Sequence, residues 1–411
     1  MKNYLNIMYF WSKMTKYYNI KNVFNILLFI WCVSIPFKNA LYQGTTIFII
    51  LFFIVIIIKY KEYTYLKEIC YKFKDLFFAF TLIILSMTIS NSINDVSKSD
   101  AWRIELMFIL RYGLIFIILI YFYSRDFFHK NKLIIFFLIS MLIQAFDGVY
   151  QSIYGYDFFK HMISDYPGGL TGAVFYRNVF GFLMGLSLLF TVFYLVNNFK
   201  RKIITRNNII ISISFFLFLY STIFSYSRAV WVAIFASFLM YIVINYKYLK
   251  IKHLLYILIF TSILILIFTN IDSLSYRFNS LLSGDSSNRF EIWSKGLELI
   301  NQKLIFGWGV DSWKIHGLKE YAALHNSILE ILLYTGLFGL FSFLIIIMMT
   351  FKTIIKNNSL ELSLIITYLL VNSLFDHSIF ESKIFLTVLT IFMFYVYSYR
   401  IKHKNSLLNN N

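Results

Sequence analysis

Residues 324–340 read LHNSILEILLYTGLFGL, a histidine and an amide followed by an almost unbroken apolar run. After His325 and Asn326, only Glu330 is charged before Lys352, so the run is long enough to cross the roughly 30 Å hydrocarbon layer of a bilayer. The polar pair stands at its threshold. It reads either as a helix cap at the water boundary or as the working end of an active site, and the rest of the chain has to decide.

The same apolar pattern recurs along all 411 residues. Hydrophobic residues make up 59% and charged residues only 14%, where a soluble domain carries about 25% charged residues. Apolar runs fall near 23–37, 45–58, 75–92, 102–123, 133–153, 178–196, 207–225, 229–246, 254–270, 326–350, 360–377 and 382–399. They are continuous rather than alternating, which argues against a transmembrane β-barrel. The chain is therefore expected to be all-α, a polytopic integral membrane protein of about twelve transmembrane helices. The first run is interrupted by Pro36 and lacks a small-residue cleavage site, so no cleavable signal peptide is expected. Three parts follow: residues 1–270 with nine spans, a loop over 271–324, and residues 325–411 with three spans and a tail.

The net charge of +18 could suggest nucleic acid, but its distribution does not. Most of the 38 Lys and Arg lie in segments 1–22, 59–74, 124–132, 197–206, 247–253, 351–359 and 400–411. The short connections between them hold only Lys38, Lys98, Lys160, Arg228 and Lys383. This alternation obeys the positive-inside rule, so both termini are expected in the cytoplasm and no nucleic-acid partner is expected. Cys32 lies in a span and Cys70 in a cytoplasmic loop; they are not expected to pair, and no Cys and His cluster has metal-site spacing.

Residues 271–324 form the one long loop of this reading, on the side away from the cytoplasm. Arg277, Arg289, Lys295, Lys303, Lys314 and Lys319 balance Asp272, Asp285, Glu291, Glu298, Asp311 and Glu320, unlike the basic loops opposite. Within it, NRFEIWSKGLELINQ (288–302) predicts an amphipathic helix. Asn288 would cap it with Glu291 closing a capping box, and Trp293, Leu297, Ile300 and Leu304 would share one face. Gly307 and Gly309 predict a turn, with Trp308 and Trp313 as anchors in the headgroup layer.

The outer boundary gathers few ionisable groups: Arg103, Arg177, Arg228, Arg289 and His325. Orientation does not require cations there, so their presence points to an anionic ligand, because guanidinium binds phosphate in bidentate fashion. Arg103 or Arg228 taken singly could equally snorkel to headgroups. Arg177 follows Gly168, Gly169 and Gly172 in GGLTGAVFYRNVFGF (168–182), which predicts an irregular start to its span. Arg111 lies deep in the fourth span and needs a partner, for which Asp147 of the next span is the expected one. A histidine near several arginines is expected to stay neutral and able to take a proton.

A neutral His325 could accept the proton of an acceptor hydroxyl while arginines hold the charge growing on a leaving pyrophosphate. The outer face offers no Asp-x-Asp or Glu-x-Asp pair for a divalent ion, and the chain has no Walker or dinucleotide motif. No cofactor is therefore expected, and a lipid-linked donor fits both absences. Gly336 lies about 16 Å along a continuous helix from His325, so it and Gly339 are expected to let the span approach a neighbour.

HNSILEILLYTGLFG (325–339) resembles the His-Asn, nine residues, Gly, two residues, Gly signature of the bacterial O-antigen ligases. YSRAVWVAIFASFLM (226–240) resembles the family's Ser-Arg-x-x-Trp helix start, and NRFEIWSKGLELINQKLIFGWGVDSW (288–313) its Arg-x-x-x-Trp…Gly-x-Gly segment. DGVYQSIYGYD (147–157) and GLTGAVFYRNVFG (169–181) resemble its Tyr-Gln…Gly and Thr-Gly…Asn-x-x-Gly stretches. Together these cover roughly residues 145 to 340, in family order.

The resemblance implies a GT-C-like inverting glycosyltransferase of the bacterial inner membrane, working without metal or nucleotide at the periplasmic face. It implies His325 as catalytic base, and Arg228 and Arg289 as the grip on undecaprenyl pyrophosphate, the carrier of the glycan donor. Lipid A–core would be the acceptor. Arg177 stands where many relatives have a neutral or Pro-containing turn; it, Asn178, Asn326 and Arg111 are secondary candidates. A polymerase joining lipid-linked repeats would use the same residues, though polymerases often carry two large outer loops. A transferase acting on proteins is a third reading, and a transporter or flippase is the alternative from another class.

Overall fold

The computed structural model describes residues 19–401 except 38, 95–99, 175, 201–205, 247–261, 263–265, 319, 322, 358, 377, 378 and 381. The described residues are helical, with no strand. In chain order the helices are α1 (Asn19–Ser34), α2 (Asn39–Tyr60), α3 (Tyr63–Lys72), α4 (Lys74–Ile93), α5 (Ala101–Ser124), α6 (Lys130–Tyr154), α7 (Arg177–Lys200) and α8 (Arg206–Phe224). There follow α9 (Arg228–Asn245), α10 (Asp272–Leu282), α11 (Arg289–Gln302), α12 (Trp313–His316), α13 (Ser327–Lys356), α14 (Leu360–Ser373) and α15 (Lys383–Ser398).

Six of these carry stretches long and apolar enough to cross a membrane: Ala40–Tyr60, Lys74–Ile93, Ala101–Ser124, Lys130–Tyr154, Arg177–Leu195 and Ser327–Lys356. Their outward faces keep large apolar side chains exposed, such as Phe48, Phe78, Phe146 and Phe341, a cost in water that vanishes in lipid. The apolar runs expected from the sequence each fall on a helix apart from 254–270, most of which lies outside the described residues. Helix α3 was not expected; it buries Tyr65 and Ile69 and packs on α4 and the end of α5.

Helices distant in sequence interlock. α13 packs on α4, α9 on α14, and α15 on α5. Aromatic and branched residues such as Phe122, Phe180, Tyr368 and Phe394 fill the resulting core. In the middle of α5, Ile109–Leu114 is a π-helical segment, an irregularity that frees backbone carbonyls. Thr390 of α15 donates to the Arg111 carbonyl at 3.0 Å.

The extramembrane segments differ from the sequence reading in several ways. The connection 271–324 contains a second helix, α10, ahead of α11. A further irregular stretch, residues 155–176, separates α6 from α7, so 271–324 is not the only long connection. It is pinned by Leu170 N to Phe224 O at 2.9 Å, and by Gln151, which accepts from Thr171 N at 2.8 Å and Gly172 N at 3.1 Å. The Tyr-Gln and Thr-Gly motifs are thus two halves of one contact.

Asn288 does not cap α11: its backbone is left-handed, its side chain makes no cap bond, and its amide donates to Tyr321 Oη at 2.9 Å. The buried face of α11 is Ile292, Gly296, Leu299 and Ile300, while Leu297 and Leu304 are exposed. Packing on α13 sets this face. Trp313 is buried and donates to Tyr321 O at 2.8 Å, and Trp308 donates to Leu299 O at 2.8 Å. Both indoles stabilise the loop from within rather than anchoring it outside.

Gly336 does bring a close approach, but through a break in the helix. Its φ of 66° and ψ of −164° interrupt α13, and a Cβ there would strike the carbonyl oxygen of Ile305. The freed groups pair with the 304–309 turn: Trp308 N donates to Leu333 O at 2.7 Å, Gly309 N to Tyr334 O at 3.1 Å, and Leu337 N to Leu304 O at 2.9 Å. Gly339 approaches Ser86 of α4. Gly336→Ala is expected to cost about 3 kcal/mol or more, from a glycine-only backbone conformation plus overpacking. Thermal unfolding in detergent reads this, with Gly44→Ala as the control, since nothing lies within 4 Å of a Cβ at Gly44.

Candidate active site

His325 closes the loop just before α13, in a left-handed backbone conformation with φ of 51°. Asn326 caps the helix, its Oδ1 accepting from Ile328 N at 3.0 Å and Leu329 N at 3.1 Å. The cap is made by Asn326 and leaves the His325 ring outside it. The histidine is half-buried, and its Nδ1 lies 3.4 Å from Oδ1 of Asp376 without a formed hydrogen bond. Asp376 sits in the turn between α14 and α15. Nδ2 of Asn178, from the first turn of α7, donates to that same Oδ1 at 3.1 Å. Glu330 secures the turn by accepting from Ile379 N at 3.0 Å.

Four arginines converge on this point. Arg228 begins α9 and is buried. It donates to Ser280 Oγ at 2.7 Å, to Asp285 Oδ2 at 3.4 Å and to Ser287 Oγ, so it ties α9 to the α10–α11 connection. The hydroxyl of Ser280 and the backbone N–H of Ser287, with Arg228 nearby, hold the Asp285 carboxyl below the usual carboxylate range.

Arg277, on α10, is buried and donates to Tyr226 O at 3.4 Å. The left-handed φ of 51° at Tyr226 turns that carbonyl towards it in the tight α8–α9 hairpin. Arg277 and Arg177 both lie over the ring of Tyr166, at 5.0 Å and 4.1 Å from its centroid. Such cation–π contacts tolerate two like charges near one ring. Nη1 of Arg177 and Nε of Arg277 are buried with no hydrogen-bond partner among the described residues.

Arg289 opens α11. Burial holds its guanidinium below the ordinary arginine value; Asp376 opposes this, and Arg228 and Arg277 add to it. Burial, together with Arg177 and Arg228, acts in the same direction on Arg277. Both stay cationic. The site therefore carries four guanidinium groups against Asp376, Asp285 and Asp165, the last accepting from Arg177 N at 3.2 Å. Part of its hydrogen-bonding capacity is unspent.

The structure thus brings His325, Arg177, Arg228 and Arg289 together with Asn178 and Asn326. It does not bring Arg111 into this group, and it does not pair Arg111 with Asp147. Asp147 instead accepts from Phe158 N at 2.7 Å, while the Arg111 guanidinium lies 5.7 Å from the ring of Tyr42 on α2. Arg103 pairs with Asp100. Arg277, Asp376 and Tyr166 were missed by the sequence reading. For Asp376 the available signal was an acid at the end of an apolar run, on the face that also gathers the arginines. The described residues hold no group of three or more His, Cys, Asp or Glu suited to a metal ion.

Below His325 an apolar cavity of about 360 Å³ runs between α4, α5, α13, α14 and α15. Ser327, Ile328, Ser373 and Leu374 border it within a few residues of His325 and Asp376, and Phe80, Phe343 and Met393 lie along its wall. A charged rim over an apolar chamber suits a ligand with an anionic head and a hydrocarbon tail.

No curated protein matches the chain. Residues 213–344 match the family model described as O-Antigen ligase, a stretch that includes Arg228, Arg277, Arg289 and His325 but stops short of Asp376. Over residues 213–344, about a third of its length, this helical chain with six helices fit to cross a membrane is similar to the O-antigen ligase family.

Proposed function

We propose that the chain is an O-antigen ligase of the bacterial inner membrane. It transfers a glycan from undecaprenyl pyrophosphate to a sugar hydroxyl of lipid A–core at the periplasmic face, with both termini in the cytoplasm. The observation that carries this reading is the convergence of His325, Asp376 and four arginines above an apolar cavity.

In this reading Asp376 faces Nδ1 of His325 and favours the proton there, leaving Nε2 free to accept. Nε2 takes the acceptor hydroxyl's proton as its oxygen attacks the anomeric carbon from the face opposite the pyrophosphate. The bond from the anomeric carbon to the pyrophosphate oxygen breaks, its electron pair leaves with that oxygen, and the configuration inverts. Arg289, Arg277 and Arg177 stabilise the developing charge, which guanidinium donors in a water-poor site do well. Arg228 directs its donors to Ser280, Ser287 and Asp285, so its part is to hold the loop that presents Arg289. The apolar cavity receives part of the prenyl tail. The transfer needs neither metal nor nucleotide, since the arginines supply the charge.

A polymerase joining one lipid-linked repeat to another is the second reading. It is favoured by the second folded connection, residues 155–176, which adds Tyr166 to the site. The two separate by acceptor. Purified protein is given an undecaprenyl pyrophosphate-linked glycan, EDTA and lipid A–core as the only added acceptor. Glycan joined to lipid A–core is the expected product. Longer lipid-linked chains beside untouched lipid A–core would replace the ligase with the polymerase, and no product of either kind would remove both.

A further inference from the structure

We infer that Tyr166 is a positioning residue for the pyrophosphate, holding Arg177 and Arg277 through the face of its ring and leaving their N–H donors unspent. The inference rests on the transfer reading above for the identity of the anion. The Arg177 guanidinium lies over the ring at 4.1 Å from its centroid, and that of Arg277 at 5.0 Å. The two cations repel each other, and neither forms an ion pair among the described residues. The side chain of Arg277 has one hydrogen bond, the 3.4 Å contact with Tyr226 O. That of Arg177 has none among the described residues, and its Nη1 is buried without a partner.

The choice of an aromatic ring has a chemical consequence. A carboxylate holds an arginine by accepting its N–H groups and cancelling its charge. A ring instead attracts the cation through the negative face of its π system. The planar N–H fork of the guanidinium then remains available for phosphate oxygens. Tyr166 therefore does what an acid at the same place could not: it gathers two like charges and keeps both for the ligand.

The local sequence fixes where that ring stands. Tyr166, Pro167, Gly168 and Gly169 form a turn in which Gly169 N donates to Tyr166 O at 2.9 Å and Gly168 takes a φ of 72°. Proline second and glycine third are the residues that a type II turn demands, and the proline disfavours helical backbone at Tyr166. Tyr166 N donates to Ser164 Oγ at 3.2 Å. The ring meets that of buried Tyr226 edge to face, with centroids 5.7 Å apart, and Tyr226 Oη is paired with Ser273 Oγ at 2.7 Å. The neighbours of the ring also fix the arginines, since Asp165 accepts from Arg177 N at 3.2 Å and Tyr226 O from Arg277. The cations are thus placed before the anion arrives, as stabilisation of a developing charge requires.

The test uses the full-length protein in nanodiscs and reads two quantities: the Kd for undecaprenyl pyrophosphate, the leaving group itself, and kcat/KM for glycan transfer. Tyr166→Leu should bind about ten-fold more weakly, the worth of two such contacts, with kcat/KM lowered in step. Tyr166→Phe, which keeps the ring face, should recover most of that loss. Phenylalanines carrying one, two and three ring fluorines at position 166 should then weaken binding stepwise, because fluorine withdraws charge from the ring face and changes its size little. A ring that only packs would give a flat series. A flat series, a Tyr166→Phe as weak as Tyr166→Leu, or a Tyr166→Leu that binds as the wild type does overturns the proposal. The fluorinated rings keep the shape of the native one, so the series decides even where Tyr166→Leu fails to fold. A wild type that binds no undecaprenyl pyrophosphate also overturns it. Stepwise binding in a protein that transfers no glycan would overturn the transfer reading and leave this inference standing.

Discussion

His325→Ala should lower glycan transfer by about 10²–10⁴-fold, the usual worth of a positioned general base, while membrane insertion and melting temperature stay unchanged. Stability should hold because the neighbouring cap, Asn326, keeps its bonds to Ile328 N and Leu329 N. Asp376→Asn provides the finer test. The oxygen of Asp376 that faces His325 also accepts from Asn178. An asparagine amide can present its oxygen to the same donors, so ring orientation survives and only the charge is lost. Its rate should therefore fall between the wild type and His325→Ala, with the loss in kcat rather than KM, since the imidazolium exists only after proton transfer. Gel analysis of product formed by the purified proteins measures both. Near-normal product from His325→Ala would remove the histidine from the chemistry.

Much of this architecture is legible in the sequence because a bilayer imposes strong local rules. Continuous apolar runs mark spans wherever they occur, and Asn326 announces its cap through its position before the run at Ser327. Arg228, Arg289 and His325 could be grouped from the side of the membrane each would face. Facing across helices is another matter. Arg111 and Asp147 lie on consecutive spans, which made them natural partners, yet the π segment aims Arg111 towards α2, and the 155–176 connection claims Asp147 through Phe158. Periodicity could not foresee either event. Arg277 was read only as one charge of a balanced loop, because its meaning depends on Tyr226 O and Tyr166, which lie 51 and more residues away. Trp308 and Trp313 show the limit of residue-type rules: an indole suits an interface, but it also suits a loop that needs donors for Leu299 O and Tyr321 O.

The arginines should separate by what they hold. Arg289 makes no side-chain hydrogen bond or ion pair among the described residues, so its donors are available to the leaving pyrophosphate. Arg289→Ala should therefore lower kcat by about 10²–10³-fold, as loss of a donor to developing charge does, and leave thermal stability unchanged. Arg228 is buried and bonded to Ser280, Ser287 and Asp285. Arg228→Ala strands those groups and should cost about 1–3 kcal/mol in stability in addition to activity, because the connection leading to Arg289 loses its tie to α9. Arg228→Lys distinguishes tie from grip. A lysine restores charge but cannot bridge Ser280 and Ser287 in the fixed fork of a guanidinium, so stability should recover only in part and transfer should remain low. Melting curves and initial rates on the same preparations decide the matter. Loss of stability in Arg289→Ala with an unperturbed Arg228→Ala would exchange the two roles.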